Sequence, residues 1–235
     1  MLAIFKRELK GYFTGVIGYV FLVIYLAVAG ILFSYTTMMS MSSDMSVYYT
    51  LMLIFSAITL PLLTMKSFSE ERKMKTEQLI LTAPVSLPAM VLGKFLASYV
   101  IYAGATVLSS LYFLLLIPFA RLKLAILLGN AVAMLLVGGV FIAIGLFVSS
   151  LTENQLSAAI GTIAIILAFL GIGLLSGLLP ANYWLRFVLD ALSIFTRFQT
   201  FVNGYFDLAS LVYYLSVGGV FIWLTVRVYD RRRFN

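Results

Sequence analysis

The side chains of this sequence limit the chemistry that it can do. Its 235 residues include no cysteine and no histidine, which excludes disulfides, thiol catalysis and the commonest metal ligands. Ser109 and Ser110 have no histidine or nearby base that would activate them as nucleophiles. Gly93 and Lys94 occur together as in a nucleotide-binding loop, but Phe95 stands where that loop needs serine or threonine. We therefore predict no catalytic residue and no metal site, and we interpret Gly93 and Lys94 as the start of a membrane span.

The densest group of charges lies in residues 66–78, which hold seven of the protein's 25 charged side chains. Glu71 and Lys75 are four residues apart, a spacing that stabilises a helix. Ser86 suits the N-cap of a following helix, and Pro88 then falls in the first turn, where its missing N–H is not needed. The pattern predicts a short helix, a turn and a new helix. It fits equally well a solvated loop that only fixes the orientation of the chain in a membrane.

The elements that must position these residues are apolar. Hydrophobic residues make up 63% of the chain and charged residues 11%, whereas soluble domains have about 25% charged residues. Repeated apolar runs of about 20 residues match the thickness of a bilayer. They predict an all-α, polytopic membrane protein with one transmembrane domain over residues 1–235. The six predicted spans are 16–36, 47–65, 95–118, 124–148, 156–179 and 208–226.

Lysine and arginine are distributed unequally between the two sides of these spans. Twelve lie on the side of both termini and four on the other side. Because cytoplasmic loops are enriched in basic residues, this asymmetry predicts that both termini are cytoplasmic. Topology and anionic lipid headgroups together account for the net charge of +7. We therefore predict a lipid membrane as a partner and no nucleic acid.

Residues 2–13 predict an amphipathic helix that lies in the membrane interface and turns into span one near Gly15 and Gly18. The alternative is a positively charged flank that only sets the orientation of span one. The apolar side chains at helical spacing are Leu2, Phe5, Leu9, Tyr12 and Phe13, and the basic ones on another face are Lys6, Arg7 and Lys10.

Four stretches of the chain resemble type-2 ATP-binding-cassette (ABC) permeases. They are "FSEERKMKTEQLILTAPVS", "LSIFTRFQTFVNGYFDLASLVYYLS", "FKRELKGYF" and "LTVRVYDRRRF". Together they cover essentially the whole chain, and the similarity is greatest to the permeases of gliding motility and of nitrous oxide reductase maturation. The chain differs from the family pattern at Lys75, where glycine is usual, at Gln78, where glutamate is usual, and at Arg197, where histidine is frequent.

The resemblance implies a permease subunit in the bacterial inner membrane. The permease would be a dimer, a homodimer rather than a heterodimer. It would work with two copies of a separate ABC ATPase. The ATPase would bind ATP and magnesium, and this chain would bind no cofactor. Residues 66–82 would form a cytoplasmic coupling segment that docks on the ATPase and carries its motion to the spans. The residues expected to make this contact are Glu70, Glu71, Arg72, Lys73, Thr76, Glu77, Gln78 and Leu79.

The resemblance also implies a transport path and an external gate. Phe55, Gly171 and Gly173 would lie near the path, although closely spaced glycines also serve ordinary helix packing. The external segment 180–207 would form a pair of short re-entrant helices that cap the exit. Its aromatic side chains also fit the aromatic belt that membrane interfaces favour. The residues expected at the gate are Trp184, Phe195, Phe198 and Phe201.

These observations predict an ATP-driven exporter of an amphipathic, lipidic or peptidic substrate. One alternative is a secondary transporter or channel that uses no ATPase, although such proteins usually show charges at the membrane midplane or two related halves. Another is an ABC complex that drives a periplasmic or cell-surface machine instead of transport. An intramembrane enzyme would need reactive groups at membrane depth, and the predicted spans have no acidic residue near their middle.

Overall fold

The computed structural model describes residues 1–40, 44–78, 85–117, 124–178, 183–205 and 207–234, and no residue in these ranges is in a β-strand. The all-α prediction is therefore confirmed for the described part of the chain. The α-helices that the structure describes over their whole length are α1 (Leu2–Thr14), α2 (Val16–Phe33), α3 (Ser46–Thr64), α4 (Lys66–Lys73), α5 (Leu87–Ser110), α6 (Leu124–Leu151), α7 (Gln155–Leu178), α8 (Tyr183–Leu192), α9 (Ile194–Val202) and α10 (Leu208–Phe234).

Among the residues that the structure describes, six helical stretches are long and apolar enough to cross a membrane, which confirms the number of predicted spans. The stretches are Val16–Met39, Ser46–Lys73, Leu87–Leu116, Leu124–Leu151, Gln155–Gly173 and Leu208–Arg233. The third begins eight residues before the predicted start at residue 95. Ser86 is the extended N-cap of α5 and Pro88 lies in the first turn, so the helix starts where local chemistry, rather than hydropathy, predicts it.

Helix α6 is the centre of the bundle, and it contacts α3, α4, α5, α7, α9 and α10. Two glycines on α6 allow neighbouring helices to approach closely. A Cβ atom at Gly138 would overlap the ring of Tyr102 on α5, and one at Gly145 would overlap the side chain of Thr64 on α3. Small residues at helix contacts are the usual means of tight packing in membranes. Residues on α6 are therefore mostly inaccessible, and the other helices surround it.

The two ends of the bundle are built from different elements. At one end, which we call the charged end, α1 and α4 meet the N-terminal turns of α5 and the C-terminal turns of α6 and α10. At the opposite end, the short helices α8 and α9 follow α7 and pack on α6 and α7. Helix α1 turns into α2 at Gly15, whose backbone is extended, as the sequence predicts.

Candidate functional site

The segment that links spans two and three begins as a helix and then turns sharply. Helix α4 ends at Lys73, so it is shorter than the helix predicted through residue 78. The N–H of Lys75 donates to the Arg72 carbonyl at 3.1 Å, and that of Thr76 donates to the Glu71 carbonyl at 3.0 Å. Lys75 adopts a φ of 55°, a left-handed conformation that glycine tolerates best. The turn therefore replaces the predicted helical pair of Glu71 and Lys75.

Lys94 is the centre of an ionic cluster at the charged end. Lys94 lies two turns inside α5, and its side chain is only 1% exposed. The Nζ atom lies 2.8 Å from Oε1 of Glu71 on α4 and 3.2 Å from Oε1 of Glu8 on α1. It also donates to the carbonyl of Ser67 at 2.7 Å. One buried ammonium thus joins three segments that are far apart in sequence.

Arg7 completes this cluster and balances its charge. Its Nη2 atom lies 2.6 Å from Oε1 of Glu8 and 3.1 Å from Oε1 of Glu71. The two cations therefore face two carboxylates, and the ring of Phe68 lies under Lys94, 5.0 Å from Nζ. A charge that is taken out of water is tolerated only when it is paired and hydrogen-bonded. We call Arg7, Glu8, Glu71 and Lys94 the ionic cluster.

Tyr12 fixes α1 to the bundle one turn beyond Glu8. Its hydroxyl donates to the carbonyl of Leu63 at 3.0 Å and lies 2.9 Å from the hydroxyl oxygen of Ser98. Burial raises the pKa of Tyr12 to about 12, so the phenol remains a neutral donor over the physiological pH range. Close packing adds to these bonds, because a Cβ atom at Gly93 would lie 3.1 Å from Ile4.

The end of α6 holds the first turn of α4 through Ser149. The Ser149 hydroxyl accepts from the N–H groups of Phe68 and Ser69, both at 3.1 Å. It also donates to the carbonyl of Met65 at 3.1 Å. The first N–H groups of a helix have no partner inside the helix. A side chain of another helix therefore supplies the cap of α4.

Two arginine–carboxylate pairs hold the other side of the segment. Nε of Arg72 lies 2.9 Å from Oε1 of Glu153, a residue in the link between α6 and α7. Nη1 of Arg72 donates to the carbonyl of Leu151 at 2.9 Å. Arg232 on α10 lies 3.1 Å from Glu77 and donates to the carbonyl of Ser150 at 2.7 Å. The segment 66–78 is therefore bound to α1, α5, α6 and α10 together, which a loop that only fixes orientation does not need.

The predicted coupling residues differ in their contacts and in their exposure. Glu71, Arg72 and Glu77 face other parts of the chain and form the ion pairs described above. Glu70 and Thr76 are half-buried, and Leu79 lies outside the described residues. The exposed residues are Lys73, Met74, Lys75 and Gln78. We call the exposed residues 73–75 the tip of the segment.

Helix α1 turns a different face to the protein from the one that its sequence suggests. Phe5 and Leu9 are half-buried and Lys6, Arg7 and Lys10 are exposed, as predicted, but Leu2 and Phe13 are exposed as well. The stripe that contacts α3 and α5 consists instead of Ile4, Glu8 and Tyr12. Sequence reasoning missed Glu8, although its position between Ile4 and Tyr12 at a spacing of four residues was a signal.

Sequence reasoning also missed Lys94. Because the third span was placed from residue 95, Lys94 was interpreted as an interfacial residue. The observed start at Leu87 puts this lysine inside the helix, where a buried ionisable side chain needs a partner. The N-cap signal at Ser86 was available in the sequence and would have corrected the assignment.

The predicted path and gate residues lie toward the opposite end. Phe55 packs on Tyr25 with ring centroids 6.0 Å apart, and a Cβ atom at Gly171 would meet nothing within 4 Å. One at Gly173 would overlap the hydroxyl of Ser193 and would lie 3.4 Å from Cβ of Phe195. Gly173 thus provides close packing between α7 and the start of α9, which is the alternative that the sequence left open.

Two short helices, α8 and α9, precede the last span, as the resemblance implies. Trp184 on α8 is exposed, whereas Phe198 and Phe201 on α9 are fully buried and Phe195 is partly buried. The buried rings belong to the core of the single chain. A role for them in gating therefore requires α9 to move, and it stays a prediction.

Comparison with known proteins identifies a family. A family model described as "ABC-2 family transporter protein" matches residues 3–229, from α1 into α10. No curated protein matches the chain.

Proposed function

Because this chain belongs to the ABC-2 family of transporter proteins, we propose that it is the permease of an ATP-driven exporter and that its segment 66–78 receives the motion of a separate ATPase. The family and the six apolar helices make it a membrane component of an ABC transporter. The contact with the ATPase and the direction of transport are parts of the proposal.

The observation that carries the proposal is the combination of an exposed tip and a tightly held base. Lys73, Met74 and Lys75 are exposed, and Met74 is 66% exposed although it is apolar. Behind them, Glu71, Arg72 and Glu77 are ion-paired with α1, α5, α10 and the link after α6. A load applied at the tip therefore reaches several helices through short, directional contacts.

The route from the tip into the membrane follows the chain and the ionic cluster. Helix α3 leads through Met65 directly into α4, so displacement of α4 acts on span two through the backbone. Lys94 carries the same displacement to α5, and Ser149 carries it to α6. Elements with packed, discrete arrangements can transmit such changes over long distances. Helix α1 moves with them because Glu8 shares the lysine.

The tip offers a specific kind of docking surface. Two lysines flank one exposed methionine, which fits an apolar pocket with an acidic rim on the ATPase. Charge complementarity of this kind fixes orientation and speeds association more than it adds affinity. Each exposed pair contributes about 0–1 kcal/mol, so the two lysines should act together.

The rest of the proposed assembly follows from the resemblance and the charge asymmetry. Two copies of the chain would form the permease, with two ATPases that bind ATP and magnesium on the cytoplasmic side of the bacterial inner membrane. Twelve basic residues on the side of the termini support this orientation. An amphipathic, lipidic or peptidic substrate suits spans rich in apolar and aromatic side chains. The similarity to the gliding-motility and nitrous oxide reductase-maturation permeases stays a prediction.

The experiment that tests this proposal is purification of the protein from its own cells in mild detergents, with ATPase activity assayed in the eluate. The variant carries Lys73→Glu and Lys75→Glu, which reverse the charge of the tip. A matched control carries Lys6→Glu and Lys10→Glu, two exposed lysines of α1 at the same end. We expect the parent and the control to retain the ATPase and the tip variant to lose it.

Two results would contradict the proposal. If no ATPase accompanies the parent in any of several detergents, the motor contact has no support. If the tip variant retains as much ATPase as the control, the contact lies elsewhere. Replacing Glu70, Glu71, Arg72 and Glu77 together is a less specific test, because three of them also hold the segment in place.

A further inference from the structure

An apolar groove runs along the outer surface of spans one and two, between α2 and α3. Its volume is about 220 Å³. Phe21 and Leu63 are buried at its base, whereas Val20 and Leu62 are about half exposed at its edges. The groove extends over residues 16–24 of α2, or about 12 Å along the helix axis. Its length and apolar walls suit a single hydrocarbon chain.

A polar pocket of about 190 Å³ continues this groove toward the charged end. Ile17 lines both cavities. The groove ends at Met65, and the pocket begins at the next residue, Lys66. The walls therefore change from almost entirely apolar side chains to a mixture that includes Glu8, Lys66 and Glu70, as the acyl region of a bilayer changes to the headgroup region. The combined site is amphipathic in the same direction as a phospholipid.

The pocket has one cation and one carboxylate that the ionic cluster does not use. Lys66 and Glu70 line it from successive turns of α4. No ion pair of either residue occurs within the described part of the chain. Glu8 also lines the pocket, but its Oε1 atom is already shared by Arg7 and Lys94. Lys66 complements a phosphate, and Glu70 complements an ammonium group.

We propose that this continuous site binds one phospholipid with a primary-amine headgroup, such as phosphatidylethanolamine. One acyl chain lies in the groove, the phosphate lies beside Lys66 and the ammonium lies beside Glu70. The primary amine can donate three hydrogen bonds, whereas the quaternary amine of phosphatidylcholine has no N–H to donate. The pairing of both charges with one zwitterion distinguishes this site from general attraction to anionic lipids.

The bound lipid would connect α2 and α3, which contribute no residue to the ionic cluster, with α1 and α4, which do. Its chain contacts α2 and α3, and its headgroup contacts α4 and the wall formed by Gly11 and Tyr12 on α1. The residues of the tip do not line this site, and the site does not depend on the ATPase contact proposed above. Its failure would leave that proposal intact.

The test is native mass spectrometry of the purified full-length chain, titrated with phosphatidylethanolamine, phosphatidylglycerol and phosphatidylcholine that have the same acyl chains. We expect phosphatidylethanolamine to bind about tenfold more tightly than the other two, the effect of one charge-assisted hydrogen bond. Lys66→Gln combined with Glu70→Gln should remove this preference. Lys6→Gln is the charge control, because Lys6 is exposed and does not line the pocket.

A second pair of variants tests the groove. Val20→Phe should fill it and weaken binding of all three lipids, whereas Val23→Phe should not, because Val23 is exposed elsewhere on α2. Circular dichroism and gel filtration confirm that each variant is folded. Equal binding of the three lipids by the parent would overturn the headgroup assignment. Equal effects of Val20→Phe and Val23→Phe, or a changed oligomeric state for Val20→Phe alone, would overturn the lipid site.

Discussion

The charged end and the opposite end of the bundle are held together by different forces. At the charged end, ion pairs join residues that are 23, 64 and 86 positions apart in the chain. At the opposite end, α9 is held by the buried rings of Phe198 and Phe201 and by backbone acceptors such as the Ile194 carbonyl, which accepts from Tyr214 at 3.0 Å. Ion pairs depend on direction and fail when one partner moves. Apolar contacts are non-directional, so the rings of Phe198 and Phe201 constrain the position of α9 less strictly than the ion pairs constrain α4.

This difference fits the separate roles that are proposed for the two ends. In the proposed coupling, the segment 66–78 passes on a displacement, and the short ion pairs of the ionic cluster would resist a change in their geometry. The gate that the resemblance implies would instead need contacts that can be exchanged. At the opposite end, Cζ of Arg197 lies 4.6 Å from the centroid of the Tyr213 ring. The Nε–H of Arg197 donates to the Ala191 carbonyl at 3.1 Å. Neither contact requires a charged partner.

The largest expected effect is that of Lys94→Met. It leaves Glu8 and Glu71 with only Arg7 as a cationic partner, and removal of one member of a buried ion pair costs about 3–5 kcal/mol. We expect about 3 kcal/mol here, because both carboxylates keep some exposure. Thermal unfolding of the detergent-solubilised chain measures the loss of stability.

A double variant shows whether charge balance is the cause. Lys94→Met with Glu71→Gln leaves the neutral pair of Arg7 and Glu8, so it should recover part of the stability lost in the single variant. If the two changes are instead additive, lost packing rather than an unpaired charge explains the effect.

A matched pair of serines compares the two ends directly. Ser149 caps a helix that belongs to a different part of the chain, whereas Ser193 caps its own helix, α9, by accepting from the N–H of Thr196 at 3.0 Å. Ser149→Ala leaves the Phe68 and Ser69 N–H groups without this acceptor and should lower the free energy of unfolding by about 2 kcal/mol. Ser193→Ala should lower it by about 1 kcal/mol, as for an ordinary N-cap.

Hydrogen exchange distinguishes these two losses. Ser149→Ala should raise the exchange of amides in α1, α4 and α5, because these helices share one set of contacts. Ser193→Ala should raise exchange only in α8 and α9. Spread of the Ser193→Ala effect to the charged end would show that the two ends do not differ in the way described.

The smallest expected effect is a gain in stability from Lys75→Gly. Lys75 adopts the left-handed conformation, which costs a residue with a side chain about 1 kcal/mol relative to glycine. The variant should therefore unfold at a slightly higher temperature, with unchanged helix content. Lys73→Gly, at the last residue of α4, should lower the free energy of unfolding by up to about 1 kcal/mol. A loss of stability in both variants would mean that the side chain of Lys75 makes a larger contribution than its backbone strain.

The sequence predicted the elements better than the contacts between them. The six spans follow from hydropathy, and the start of α5 follows from Ser86 and Pro88, because each depends on neighbouring residues only. The end of α4 was not predictable, since lysine at position 75 gives no signal of a left-handed backbone. The permeases that this sequence resembles usually have glycine at position 75, and a glycine there would have indicated a left-handed backbone.

The ionic cluster required three-dimensional information. Glu8, Glu71 and Lys94 belong to three helices, and their charges alone do not indicate which pairs form. The sequence therefore predicted a coupling role for this segment but treated Glu71, Arg72 and Glu77 as equivalent to the exposed residues beside them. Only the fold separates the residues that hold the segment from those at its tip.

The position of Lys94 in the chain also has a consequence for the synthesis of the protein at the ribosome. A buried lysine is costly until it pairs with a carboxylate. Glu8 and Glu71 precede Lys94 by 86 and 23 residues, so at synthesis rates of about 5–20 residues per second both acidic partners are made roughly 1 s or more before it. The groups that neutralise Lys94 therefore already exist when it is synthesised, and the direction of translation sets the order in which the members of the cluster become available.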